Sequence, residues 1–341
     1  MTHRAEKADA LRSHILTHGG NLESAMALYG DAPRPWIDLS TGINPVPYPV
    51  GDLPADCWTR LPSRAAEEAL AAAAAKAYGV SSAGMVAAAP GTQALIQLLP
   101  RLRPARRVAV LGPTYGEHAL AWAAAGAEVR TVASLDGVAD ADVVVVVNPN
   151  NPDGRVLAAA DLRAAAADLG RSGGLLVVDE AFADGLDGVS LAPDLDALGA
   201  ALVLRSFGKT YGLAGVRLGF ALAPAPEAAR IRAALGPWAV PGPALAIGVR
   251  ALADRAWLDA AMARLRRDAD RLDGLLAAAG LRPAGGTPLF RLAETADAGA
   301  WFDRLARAGI LTRPFDYAPR WLRFGLPGDA AAWARLERAL A

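Results

Sequence analysis

The chain has 341 residues, 53% hydrophobic and 21% charged, with basic and acidic groups balanced at a formal net charge of zero. That length buries a sizeable core and suggests two domains or one large domain with an annex, while the neutral balance argues against a nucleic-acid binder. Cys57 is the single cysteine, which excludes an internal disulfide, fits a reducing cytoplasm and reads as a small core residue.

The N-terminal "MTHRAEKADALRSH" has no apolar run behind its charges and does not read as a secretory signal. Helix is expected over "SRAAEEALAAAAAKAYG" (63–79), strand over "MVAAAP" (85–90) and helix over "TQALIQLL" (92–99). The strand "RVAVLG" (107–112) precedes a helix over "YGEHALAWAAAG" (115–126). The strand "DVVVVVNP" (142–149), far too short to span a membrane, precedes a helix over "LAAADLRAAAADLG" (157–170). Strands "GLLVVDEAF" (174–182) and "ALVLRSF" (201–207) follow. Short apolar strands alternating with amphipathic helices predict an α/β domain with a mostly parallel sheet covered on both faces. After the Gly- and Pro-rich "GPWAVPGPA" (236–244) the pattern changes to one long helix over about 245–279, strands at "PLFRLA" and "WLRFGLP", and two further helices. The expected division is a large α/β domain over 46–235 and a small α+β domain from 1–45 and 236–341.

Ligands in open α/β sheets bind beyond the carboxyl ends of the strands. Tyr115, the Asn148–Asn151 stretch, Asp179-Glu180 and Lys209 all fall at such ends, and Gly91-Thr92 opens a helix whose free N–H groups suit a phosphate. Ser206 and Arg217 flank Lys209 closely enough to share an anion. Singly, each has a plainer reading: Thr92 or Asp179 as a cap, 151–154 as a turn, Tyr115 as a core aromatic, Arg217 as a surface charge. Lysine is also scarce, with three against 32 arginines. Lys209 therefore reads as a residue kept for an amine that can attack a carbonyl, which a guanidinium cannot do. A lysine amine, a buried acid and a phosphate cradle together describe a site for pyridoxal phosphate.

"SFGKTYGLAGVRLG" resembles the signature of the fold-type I pyridoxal phosphate enzymes, class I/II aminotransferase-like, with Gly208 in place of a usual serine. The resemblance extends from about "DLSTGINP" to "WLRFGLP". It implies a seven-stranded, mostly parallel sheet and pyridoxal 5'-phosphate as cofactor. By the same match Lys209 binds the cofactor aldehyde, Asp179 faces the ring nitrogen, Tyr115 stacks on the ring and Asn151 serves the ring oxygen. Gly91, Thr92, Ser206 and Arg217 hold its phosphate. Arg323 matches the arginine that grips a substrate α-carboxylate. "THGGNLESAMALYG" and "IDLSTGINPVP" resemble the branch of the family that decarboxylates a phosphorylated amino acid. The alternatives are an aminotransferase acting on histidinol phosphate, which usually carries Tyr where this chain has Phe182, or on a related amino acid, and, from another class, a non-catalytic ligand-binding or regulatory protein. In the decarboxylating branch His18, Gly19, Asn44 and Asn151 line the substrate pocket and Arg313 meets the substrate phosphate, though His18 also reads as part of a capped turn. The resemblance further implies a cytoplasmic homodimer without metal. "TRLPSR" puts Leu61 where the family often has a tyrosine reaching the neighbouring subunit's cofactor, with Arg60 and Arg64 as nearby substitutes.

Overall fold

The computed structural model describes residues 19–138 and 140–341. The chain divides into two compact units, one of Pro47–Ala260, the other joining the chain up to Val46 to Ala261–Ala341. With strands numbered in chain order, β1 (Ile37–Asp38) lies in the smaller unit. The larger unit holds β2 (Val86–Ala89), β3 (Arg107–Leu111), β4 (Glu128–Val132), β5 (Val143–Val147), β6 (Leu175–Asp179), β7 (Ala201–Ser206) and β8 (Gly219–Leu222).

These seven strands form one sheet in the order β2-β8-β7-β6-β5-β3-β4. The pairs from β7 to β4 are parallel, and β8 runs against both β2 and β7. Alternate residues of a strand point to opposite faces. Val144 and Val146 of β5 accordingly join one buried cluster, while Val143 and Val145 join the other. Helices Arg64–Tyr78, Ala159–Arg171 and Gly242–Ala253 cover the first face through Leu70, Leu162 and Leu245. Thr92–Leu102, Glu117–Ala124 and Ala225–Leu235 cover the second through Leu95, Trp122 and Ile231. Burial on both faces is why β5 and β6 carry uninterrupted apolar runs. β4, the exposed edge, reads "EVRTV" and gave no such signal.

The direction of each strand places the chemistry. β2, β3, β5, β6 and β7 run the same way and end on one edge of the sheet. β8 starts on that edge: its first residue, Gly219, pairs with Ser206 at the end of β7 and with Ala89 at the end of β2. Arg217, just before β8, thereby reaches the edge where the other strands finish.

The helix expected over 245–279 is two, Gly242–Ala253 and Arg255–Ala278. Asp254 interrupts it with φ −88° and ψ 75°, and its Oδ1 accepts from the Trp257 amide at 3.0 Å, capping the second helix. The first helix packs with Arg64–Tyr78, and Gly248 lies close against Leu70 and Leu218. That packing holds residues beyond 235 in the larger unit, so the contact boundary falls after Ala260 rather than at the Gly/Pro stretch. Cys57 is half-buried, not a core residue.

In the smaller unit β9 (Arg282–Thr287), β10 (Phe290–Glu294), β12 (Arg313–Pro314) and β13 (Trp321–Gly325) make an antiparallel sheet ordered β12-β13-β10-β9. β1 pairs in parallel with β11 (Ile310–Leu311). Phe290, Phe324, Leu305 and Leu336 are fully buried there. "RPAGGT" hid β9 because Pro and paired Gly weaken the strand pattern; Gly286 is nonetheless required, since a Cβ there would lie 2.3 Å from the Phe290 carbonyl oxygen.

Candidate active site

Gly91 adopts φ 87° and opens the helix Thr92–Leu102, which no side chain caps. The first amides of that helix point to the strand-end edge with their positive dipole end. A Cβ on Gly91 would lie 2.6 Å from an Arg217 guanidinium nitrogen, so the arginine crosses directly over the glycine. A Cβ on Gly219 would lie 2.5 Å from the Thr92 amide nitrogen. Arg217 itself holds a left-handed φ of 53° and donates to the Ala214 carbonyl at 3.2 Å. Left-handed backbone at a non-glycine residue costs energy and tends to mark functional turns. Gly91, Thr92, Ser206 and Arg217 thus converge at the end of β7 and the start of β8.

Lys209 sits on the helical turn Phe207–Thr210 directly after β7 and is half-buried. Its Nζ lies 5.7 Å from the centre of the buried Phe182 ring, which comes from the loop after β6. The glycine at 208 has a local reason: a Cβ would fall 2.7 Å from the Ala214 Cα. Leu213 also donates its amide to the Gly208 carbonyl at 3.1 Å. The turn that carries Lys209 is folded too tightly for serine.

Asp179 ends β6 and is 3% exposed. Its Oδ2 lies 2.8 Å from His118 Nε2, and its Oδ1 accepts from the Ala181 amide at 3.1 Å. Against an ionised carboxylate the imidazole nitrogen is the donor. His118 is 1% exposed and was missed by sequence reasoning; it sits in the first turn of the helix Glu117–Ala124, and only the fold brings it to Asp179. Tyr115 is half-buried, its hydroxyl donates to Gln93 Oε1 at 3.3 Å, and Gln93 in turn donates to Glu117 at 2.7 Å. Burial first, then the nearby charges of Glu117 and Asp179, push the phenol up to about 12.

Buried Asn150 fixes the loop of Asn151. It accepts from the Thr114 hydroxyl at 2.6 Å and donates to the Pro113 carbonyl at 2.9 Å, tying the loop after β5 to the loop that carries Tyr115. Behind the edge, Arg205 bonds Glu180 at 2.8 Å and also Asp184, and its guanidinium lies 4.5 Å from the centre of the Tyr78 ring. All three charged groups are buried, so the residues next to Asp179 and Ser206 are joined by one ionic cluster.

The other expected residues lie in the smaller unit. Arg323 of β13 is 6% exposed, donates to the Ser40 carbonyl at 2.8 Å and faces Arg313 of β12 in register. Gly19 packs against the same serine, where a Cβ would lie 2.4 Å from the Ser40 carbonyl oxygen. Asn44 is buried, and its Oδ1 accepts from the Val46 amide at 3.0 Å and from Arg264 at 2.7 Å. That oxygen braces the chain locally. His18 lies outside the described residues. Leu61 is 67% exposed in the larger unit, beside Trp58 at 68%.

The strand-end edge fits a phosphorylated aromatic aldehyde: an amine at Lys209, a dianion cradle that a single Cβ on Gly91 would fill, and a buried carboxylate at Asp179 held by His118. Fold and site define a cofactor-dependent enzyme scaffold of the kind that works on amino groups. The aminotransferase class I and II family model matches residues 57–340, and the chain belongs to that family. A threonine-phosphate decarboxylase from a Sinorhizobium species is 50% identical over 328 residues, covering 96% of this chain and 98% of its own. One from Pseudomonas aeruginosa is 47% identical over 329 residues, covering 96% and 97%. The solved histidinol-phosphate aminotransferase of Sinorhizobium meliloti, in complex with pyridoxal-5'-phosphate, shares the fold at TM-score 0.81 and 23% identity, over 94% of this chain and 93% of its own.

Proposed function

We propose that the protein is a pyridoxal phosphate-dependent decarboxylase converting L-threonine O-3-phosphate to (R)-1-aminopropan-2-ol O-2-phosphate and carbon dioxide, a product suited to the cobalamin side chain. The observation that carries this reading is the 50% identity to a threonine-phosphate decarboxylase over nearly both whole chains. The Arg313–Arg323 pair supports it, because it suits a substrate with two anionic ends. We also propose a cytoplasmic homodimer, on the family resemblance and the absence of a disulfide.

In this reading Gly91, Thr92, Ser206 and Arg217 would hold the cofactor phosphate, Tyr115 would pack against the ring, Asn151 would serve the ring oxygen and Lys209 would bind the aldehyde. The bound cofactor supplies an electron sink for the pair released at the substrate Cα. Asp179, held by His118, would face the ring nitrogen and favour its protonated form. By the family resemblance Arg323 would grip the α-carboxylate and Arg313 the phosphate, and His18, Gly19 and Asn44 would be further substrate residues. By fixing both ends the arginines select which bond at Cα is aligned to break. The carboxylate leaves as carbon dioxide, and the Lys209 amine returns a proton to Cα.

The test is purified holoprotein with L-threonine O-3-phosphate, assayed for carbon dioxide without a keto acid, and histidinol phosphate plus 2-oxoglutarate in parallel. Gas release without an acceptor is the expected result, with at least a thousandfold loss on Lys209→Ala. Glutamate formation without gas overturns the decarboxylase in favour of the aminotransferase.

A further inference from the structure

Gln93 is the second residue of the helix Thr92–Leu102, and Glu117 is the first residue of the helix Glu117–Ala124. Gln93 Nε2 donates to Glu117 Oε2 at 2.7 Å, and its Oε1 accepts from the Tyr115 hydroxyl at 3.3 Å. One half-buried amide thus bonds a side chain on each side of Gly116, in the turn that carries Tyr115.

The groups at the two ends decide the residue type. A carboxylate only accepts, so it takes the amide nitrogen and leaves the amide oxygen for the phenol, which donates. A glutamate at 93 would set two carboxylates at hydrogen-bond distance, and an apolar residue would serve neither partner. On its other flank the Tyr115 ring meets the His118 ring edge-on, with centres 6.2 Å apart and planes at 85°. His118 is in turn the partner of Asp179. A contact along the ring and a bond at its far end together restrict both side-chain torsions of the tyrosine.

We propose that Gln93 is a positioning residue that holds the Tyr115 ring at the cofactor site by bridging its hydroxyl to Glu117. The ring contact is thereby tied to the helix that starts at the Gly91–Thr92 turn. This deepens the cofactor-site reading above and rests on it, whichever bond of the substrate breaks.

The experiment compares full-length wild type with Gln93→Met, Gln93→Glu, Tyr115→Phe, Tyr115→Ala and the double variant of Gln93→Met with Tyr115→Phe, all without substrate. Equilibrium dialysis gives the Kd for pyridoxal 5'-phosphate. Visible circular dichroism at saturation reports how the bound cofactor is oriented, and unfolding midpoints of the apoproteins report folding. For Gln93→Met we expect Kd to rise about fivefold to tenfold, with altered visible dichroism. Tyr115→Phe keeps the ring but breaks the same bond, so it should lose about as much. The double variant should then be no worse than the poorer single, whereas a merely structural effect of Gln93 on its helix would add to that of Tyr115→Phe. Gln93→Glu is isosteric but as a carboxylate cannot donate to Glu117, so it should lose at least as much as Gln93→Met. Should Gln93→Met not fold, Gln93→Glu takes its place in the same cycle. Affinity and dichroism as in wild type for either Gln93 variant, or additive losses in the double, overturn the proposal while an altered dichroism in Tyr115→Ala keeps the ring contact. Unchanged dichroism in Tyr115→Ala removes the ring contact itself, and the proposal with it.

Discussion

The hydrogen bond between His118 and Asp179 joins two side chains that are each almost wholly buried. Burying a polar side chain costs free energy unless it is hydrogen-bonded, so His118 acts as a positioning residue for Asp179 rather than as a group that meets substrate. His118→Phe should weaken the cofactor dissociation constant about tenfold to a hundredfold, the range for a lost hydrogen bond to a charged group, and should shift the pH titration of the cofactor absorbance. His118→Gln, whose amide nitrogen reaches nearly the same place, should restore most of both. Unchanged affinity and titration in His118→Phe would remove the assigned role. Lys209, Asp179, Asn151 and Arg217 could be proposed residue by residue because they stand in short motifs with fixed spacing, and the fold brings them to the strand ends of one sheet. His118 could not, since a histidine inside a helix reads equally well as core, and only the fold brings it to Asp179. The glycine at 208 looked like a departure until the close approach of Ala214 explained it.

Two elements would carry the proposed anion cradle: the start of the helix Thr92–Leu102 and the start of β8. Gly91 must hold a left-handed backbone and let Arg217 pass within contact distance. Gly91→Ala adds a strained φ of about 1 kcal/mol and displaces the guanidinium. We expect the cofactor dissociation constant to rise at least tenfold, measured by equilibrium dialysis, while far-ultraviolet dichroism stays as in wild type. Affinity within twofold would show that Arg217 does not belong to the cradle. The sequence revealed the helix and the buried strands through their periodicity, and it hid others, some for plain physical reasons. β4 is a polar edge, β9 is broken up by glycine and proline, and the cap formed by Asp254 splits a helix whose apolar pattern runs on through it.

At the scale of the larger unit, Arg205 neutralises Glu180 and Asp184 beneath the sheet edge. Burial already pushes Glu180 above its ordinary value despite this arginine. Arg205→Met would leave two buried carboxylates facing each other without a counter-charge, a loss of about 3–5 kcal/mol at neutral pH. A carboxyl whose folded pKa lies above its unfolded one gains stability as pH falls through the folded value, because the protonated form is the one the interior tolerates. The deficit of Arg205→Met should therefore shrink between pH 7 and 5 in denaturant titrations; a pH-independent deficit would point to lost packing instead. The same unit shows why the contact boundary differs from the composition break. Gly and Pro at 236–244 mark a real break, but Gly248 then packs between Leu70 and Leu218, and local composition carries no trace of that contact.

The reversal of β8 has one more consequence. Because Ser206 and Gly219 are paired, residues 207–218 form a loop closed at both ends by the sheet, with Lys209 near one end and Arg217 near the other. The length of that loop is thereby a ruler between amine and phosphate. An inserted residue would not be absorbed as slack; it would move one of the two groups off its mark. Variation in chain length among relatives of this protein should collect elsewhere, leaving the spacing of this one segment unchanged.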